Sequence, residues 1–167
     1  MKNLLFIIFL IPYALFAQSD KNVSVKNIPQ NIPGYLEKNY PSHKNVSYFI
    51  EYDGDTLCYQ ADFEYMKQKY SLLFDTLGNV IETEVEILFE KISDPIEKLI
   101  EEKLSLDLKK YKVIKAQTVD YKGQLLYEIQ VRGKKNKEVE FYEYYFNRTG
   151  AFVKVEMIVL KPIPSLY

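Results

Sequence analysis

Tryptophan is missing from this sequence, and cysteine and histidine occur once each, as Cys58 and His43. A single cysteine closes no disulfide within the chain and supplies no cysteine zinc site. A single histidine leaves no material for a histidine metal site or a Ser-His-Asp triad. The setting of His43, after Tyr40-Pro41-Ser42, reads as a solvated loop. Charge of one sign is missing as well: 22 Lys and Arg stand against 23 Asp and Glu, a formal net charge of −1. A nucleic-acid binder would carry a basic stripe or patch, so nucleic acid is not expected as a partner. No nucleophile–base pair, cofactor site or metal site can be named, and the chain is read as not an enzyme. At 167 residues it is long enough to bury a core without covalent staples.

Long apolar runs are scarce too, and the one present stands at the start. Met1-Lys2-Asn3 is short and basic, and Leu4 to Phe16 is almost unbroken apolar sequence. A helix spanning a membrane needs about 20 such residues, more than this run has. Ala17 follows, then the polar Gln18-Ser19-Asp20-Lys21. This is the layout of a secretory signal peptide over residues 1–17, with Ala17 the last residue removed. The expectation is a periplasmic or secreted protein of a bacterial envelope, with no stable membrane insertion after cleavage.

What the sequence does have is tyrosine and phenylalanine, 15 and 10 of them, set in alternating runs. Residues 18–31 read as a disordered or extended lead-in. Ile32-Pro33 opens a short helix that Pro41 stops. Strands are predicted over 46–52, 57–65, 70–74 and 80–89, with turns at Asp53-Gly54 and Asp75 to Asn79. Ser93-Asp94-Pro95 caps a second helix with the stripe Ile96, Leu99, Ile100 and Leu104. Four more strands are predicted over 111–119, 125–132, 139–146 and 152–160. Lys122-Gly123, the basic loop Gly133 to Lys137, and Asn147 to Gly150 separate them.

The halves match each other. Tyr70-x-Leu72-x-Phe74 with Gly78 recurs as Tyr142-x-Tyr144-x-Phe146 with Gly150. Ile81, Thr83, Val85 and Ile87 recur as Val153, Val155, Met157 and Val159. A period of about 70 residues is too long for a solenoid unit and reads as a duplicated α+β module, residues 32–91 and 92–162.

These residues resemble the periplasmic PepSY-like family related to the beta-lactamase-inhibitor protein. The likeness rests on the Pro-opened helix ending Tyr40-Pro41, the alternation Tyr59-x-Ala61-x-Phe63, the turn Phe74-Asp75-x-x-Gly78 and the strand Thr83-Glu84-x-Glu86. In the second half Asn147 replaces Asp in that turn, and the family's frequent Trp in the first strand is missing. The resemblance implies an α+β fold of two tandem modules, each one helix on a four-stranded antiparallel sheet, joined into one curved eight-stranded sheet. It also implies binding of another exported protein through the open sheet face, as an inhibitor or modulator of an envelope enzyme such as a peptidase.

Several groups are candidates for that role. Glu82, Glu84 and Glu86 form a carboxylate row, about 7 Å apart along one strand face. They make either a docking strip for a basic partner or hard cation, or a solvated outer face. Asp53-Gly54-Asp55 lacks the remaining ligands of a calcium loop and reads as a hairpin turn. Lys134, Lys135 and Lys137 read as a solvated basic loop. Tyr142, Tyr144 and Phe146 face one side of their strand, and Phe141 and Tyr145 the other; Tyr48 and Phe49 also face oppositely. Only one face can lie beneath helices, so Phe49, Phe141 and Tyr145 are expected on the open face, where Tyr suits an interface. Cross-strand aromatic pairing is the competing reading. Cys58 reads as a packed residue, with an intermolecular disulfide as the alternative. A carrier with a pocket between sheet and helices is the second functional reading.

Overall fold

The computed structural model describes residues 21–158 apart from 54 and 136–137. The expected signal peptide, residues 1–17, lies outside the described residues. Among the described residues, nine strands form one open antiparallel sheet in which each strand pairs with its neighbours in sequence. They are β1 (Lys21–Val23), β2 (Lys44–Asp53), β3 (Thr56–Tyr65), β4 (Gln68–Phe74), β5 (Val80–Ile87), β6 (Lys110–Tyr121), β7 (Gln124–Lys135), β8 (Glu138–Asn147) and β9 (Phe152–Ile158). Helix α1 (Asn31–Asn39) lies between β1 and β2, and α2 (Asp94–Asp107) between β5 and β6.

The lead-in departs from expectation. It supplies β1, whose Lys21, Asn22 and Val23 pair with Ile50, Phe49 and Tyr48, so the sheet has nine strands and not eight. Three residues are too few to show alternation, and the residues just after the strand hold it in place. Ser24 accepts a hydrogen bond from the Lys26 amide at 3.5 Å, and Ile28 is buried beside α1. The basic loop also departs. β7 runs on through Lys134 and Lys135, which pair with Val139 and Glu138. Gly133 is a strand residue there: a Cβ on it would stand 2.6 Å from Leu108 Cδ1, so glycine makes room for the end of α2 and does not serve a turn. The Ser93 side chain makes no cap. Its carbonyl accepts from the Ile96 and Glu97 amides at 2.8 and 2.9 Å instead.

Strand register carries each face across the sheet. Tyr48, Ala61, Leu72 and Thr83 lie in one row, and Ala116, Ile129, Tyr144 and Val155 in another on the same side. Both helices pack on this side. Ile32 and Leu36 of α1 close one cluster with Ala61, Phe63, Leu72 and Phe74. Ile100 and Leu104 of α2 close a second with Ile129, Val131, Tyr142, Tyr144 and Phe146. Burying a side chain of this size stabilises the fold by about 1.5–3 kcal/mol.

The two strand-to-strand turns beneath the helices share one hydrogen-bond pattern. Asp75 Oδ1 accepts from the Leu77 and Asn79 amides at 2.9 and 2.8 Å, and Gly78 takes a φ of 78°. Asn147 Oδ1 accepts from the Thr149 and Ala151 amides at 2.9 and 3.0 Å, and Gly150 takes a φ of 81°. Each turn meets a helix. Asn31 Nδ2 of α1 donates to the Leu77 and Gly78 carbonyls, and Gly150 lies against Ile96 and Leu99 of α2.

Candidate functional site on the open sheet face

The face away from the helices is lined by the complementary residues of each strand. From β2 to β8 these include Phe49 and Glu51, Cys58, Gln60 and Asp62, Lys69, Ser71 and Leu73, Glu82, Glu84 and Glu86, Gln117, Glu128 and Gln130, and Phe141, Glu143 and Tyr145. The register thus places all six sequence candidates, Phe49, Phe141, Tyr145, Glu82, Glu84 and Glu86, on this one face.

No described element crosses that face, yet Gln117 and Glu128 are only 2% and 4% exposed. Their burial comes from the side chains around them. Register shifts between Leu73 and Phe74 and between Val113 and Lys115 interrupt the ladders nearby. Two hollows lie on this face. One, of about 250 Å³, is lined by Gln60, Asp62, Ser71, Glu84, Glu86 and Gln117 among others. The second, of about 330 Å³, shares Gln60, Ser71 and Glu84 and reaches Glu82, Gln130 and Glu143. Their common lining makes them one trough across the middle strands.

Burial sets the electrostatics, and neighbouring carboxylates add to it. Burial lifts the Glu84 carboxyl to about 8, with Glu128 and Glu82 adding to the effect and Lys115 and Gln117 opposing it. Burial likewise lifts Glu143 to about 7, reinforced by Glu128 and Glu156. Gln130 Nε2 donates to both Glu128 and Glu143 at 3.1 Å, tying two strands together. The Tyr145 hydroxyl donates to Glu143 Oε2 at 3.4 Å, and burial among Glu128, Glu143 and Glu156 raises its pKa strongly. Lys69 reaches Glu86 at 3.3 Å at the rim. With values of about 8 and about 7, Glu84 and Glu143 hold protons near neutral pH.

The aromatic surplus lies mostly elsewhere. Tyr40 meets the rings of Phe63, Tyr65 and Tyr70 at 4.9, 5.5 and 5.3 Å, on the helix side. Tyr144 stacks with Phe146 at 6.4 Å beneath α2. The open face receives few aromatics, and they are half-buried among carboxylates, so no broad aromatic patch forms there. His43 is half-buried, its Nδ1 2.9 Å from the Tyr40 carbonyl oxygen and its ring edge-on to Phe63, where a solvated loop residue was expected. Cys58 is buried, which leaves no thiol at the surface for a bridge to another chain. Among the described residues no group of His, Cys, Asp or Glu is arranged to hold a metal ion.

The sequence candidates omitted Glu128, Glu143, Gln117 and Gln130. A signal was present: Tyr127-Glu128-Ile129-Gln130-Val131 and Tyr142-Glu143-Tyr144 alternate, and the polar member of each pair must leave the helix side.

The fold defines a class: a one-layer antiparallel sheet backed by two helices, with one sheet face left open among the described residues. Solved structures share the fold. A DUF2874 family protein from Bacteroides ovatus is 17% identical, with a TM-score of 0.62, covering 78% of this chain and 87% of that one. A BLIP-like protein from Bacteroides fragilis is 17% identical, with a TM-score of 0.60, covering 81% and 89%. A proposed periplasmic protein from Bacteroides eggerthii is 18% identical, with a TM-score of 0.63, covering 78% and 89%. No family model matches the chain, and no curated protein matches it in sequence. The likeness is one of fold. No helix among the described residues is long and apolar enough to cross a membrane.

Proposed function

We propose that this is an exported, non-enzymatic binding protein that receives a positively charged segment of another exported protein on its open sheet face. The observation that carries the reading is the trough around Glu84 and Glu143, whose carboxyls are desolvated beside Glu82, Glu128 and Glu156 and are offset only in part by Lys115. Such a face gains most from a partner that brings Lys or Arg into it. Glu82 and Glu86 extend the trough, and Phe49, Phe141 and Tyr145 give it apolar contact area beside the charges. The export part of the reading rests on residues 1–17 and agrees with the description of the Bacteroides eggerthii structure. An inhibitory or modulating role toward an envelope enzyme such as a peptidase follows from the resemblance to the PepSY-like and beta-lactamase-inhibitor-like proteins. The matching turns at Asp75 and Asn147 favour a duplicated module with its boundary near residue 92. The carrier reading is weaker, because the two clusters fill the space beneath the helices with side chains.

Calorimetric titration with a Lys/Arg-rich peptide and an Asp/Glu-rich peptide of equal length tests the reading. The basic peptide is expected to bind and the acidic one not, with the Glu84→Gln, Glu143→Gln double variant at least tenfold weaker. Equal binding of both peptides, or no loss in the double variant, sinks it. Capture of envelope proteins by the Phe141→Ser, Tyr145→Ser variant, if undiminished, removes the aromatic residues from the binding face.

A further inference from the structure

We propose that β9 is a self-pairing edge: two copies of this chain join antiparallel about a two-fold axis at Val155, perpendicular to the sheet. The partner is a second copy, and the pairing does not depend on the trough.

The two edges of the sheet are unequal. β1 is three residues long, and short edges are one way in which proteins avoid pairing with other chains. β9 is seven residues long and contains no proline, and among the described residues it pairs with β8 alone, with a register shift opposite Tyr145 and Phe146. Its outer side presents the row of N–H and C=O groups that an antiparallel neighbour would take up. Phe152, Val153, Val155 and Met157 are all exposed along it.

What selects a second copy is the order of side chains. Pairing about Val155 sets Lys154 of each copy opposite Glu156 of the other, on the open face. On the helix side it sets Val153 opposite Met157, twice, and Val155 opposite itself. Neighbouring centres fail. A centre at Lys154 puts lysine against lysine, and one at Glu156 puts glutamate against glutamate. A centre between residues sets Lys154 against Val155 and turns the second copy's helices to the opposite side. Like charges directly opposite destabilise a ladder, and opposite charges support it. Of these centres Val155 alone satisfies both faces, and an axis there gives the isologous contact that closes as a dimer. The charged pair is already in place in one chain: Lys154 Nζ lies 2.9 Å from Glu156 Oε1 and 4.3 Å from the centroid of the Tyr145 ring. In the dimer the two pairs would interleave into one ring of alternating charge. The result is a single sheet of twice nine strands, with both troughs opening on the same side.

Sedimentation velocity on the full exported chain, at concentrations up to on the order of 100 µM, tests this; an interface of one strand pair falls in the weak, reversible range. The expected result is a monomer–dimer equilibrium. Lys154→Glu and Glu156→Lys should each weaken it at least tenfold. The doubly swapped variant should restore it, and an equal mixture of the two single variants should form a heterodimer. Wild-type protein that stays monomeric throughout overturns the proposal. So does a dimer that single charge reversals leave unchanged, or an assembly that grows without limit, which would mean β9 meets β1 of the next copy. Circular dichroism of each single variant checks the fold, and if one unfolds, the doubly swapped variant decides.

Discussion

Burial, reinforced by Glu128 and Glu82, holds Glu84 at neutral pH in the form that carries no charge. Its folded pKa of about 8 stands above the ordinary carboxylate value of 4.5. Below 4.5 the group is protonated whether the chain is folded or not, and it costs nothing. Between 4.5 and 8 the unfolded chain ionises the group while the folded protein keeps it protonated, so stability falls across that window and the loss is complete above 8. Glu84→Gln keeps the shape and removes the titration. The variant should match the parent in urea unfolding at pH 4. It should exceed the parent by on the order of 1–3 kcal/mol at pH 9, a figure reduced from the full shift because water still reaches the trough. A variant that is no more stable than the parent at pH 9 would mean that Glu84 is not desolvated. On the other side of the sheet, Leu72 is completely buried under α1. Leu72→Ala leaves a hole there and should cost about 2–5 kcal/mol by the same measurement.

At the scale of elements, the two turns tell most about how the chain is built. Asp75 is held below the usual carboxylate range by hydrogen bonds from Asn79 and from the Leu77 and Gly78 amides. Its ionised form therefore supports the turn at neutral pH, and this support is lost as pH falls through the depressed value. Asn147 occupies the matching place with an amide oxygen in the same role. Asp75→Asn should then lower the melting temperature less than Asp75→Ala, and should remove the acid-side part of the pH dependence. Equal losses in the two variants would mean that the side-chain oxygen does not organise the turn. The strands are largely legible in the sequence because Thr83-Glu84-Val85-Glu86 and its like alternate cleanly. β1 is not, because a strand of three residues has no period to read. Gly133 reads as a turn residue because nothing local announces that Leu108 will lie over it.

For the whole molecule, register is what the sequence withholds. The row Glu82, Glu84 and Glu86 lies on one strand and can be read by counting. Glu128 and Glu143 join it only when β7 and β8 take their places in the sheet, and strand pairing depends on contacts far apart in the chain. The aromatic surplus misleads for a related reason. Twenty-five rings (15 Tyr and 10 Phe) are too many for one helix-covered cluster, but there are two clusters, and Tyr35 and Tyr40 leave the sheet to close the first from above. The assembled trough links binding to protons. A cationic partner favours ionised Glu84 and Glu143, so its binding should release protons and tighten about three- to tenfold from pH 6 to pH 9. Added salt should weaken it. Calorimetry in buffers of different ionisation heat measures the proton release directly; none released at pH 7 would separate the carboxylates from binding.

The meander order of the sheet also governs how the chain comes together. Apart from the two helical connections, every strand meets its partner across a turn of a few residues, and such local pairings close fast. The slow step is then the joining of β5 to β6, which must wait for the chain between Ile87 and Lys110 to fold back with α2. A chain delivered N-terminus first could complete β1 to β5 before the rest arrives. Among the described strands the last to settle is β9, so the strand at that edge of the sheet is also the newest one.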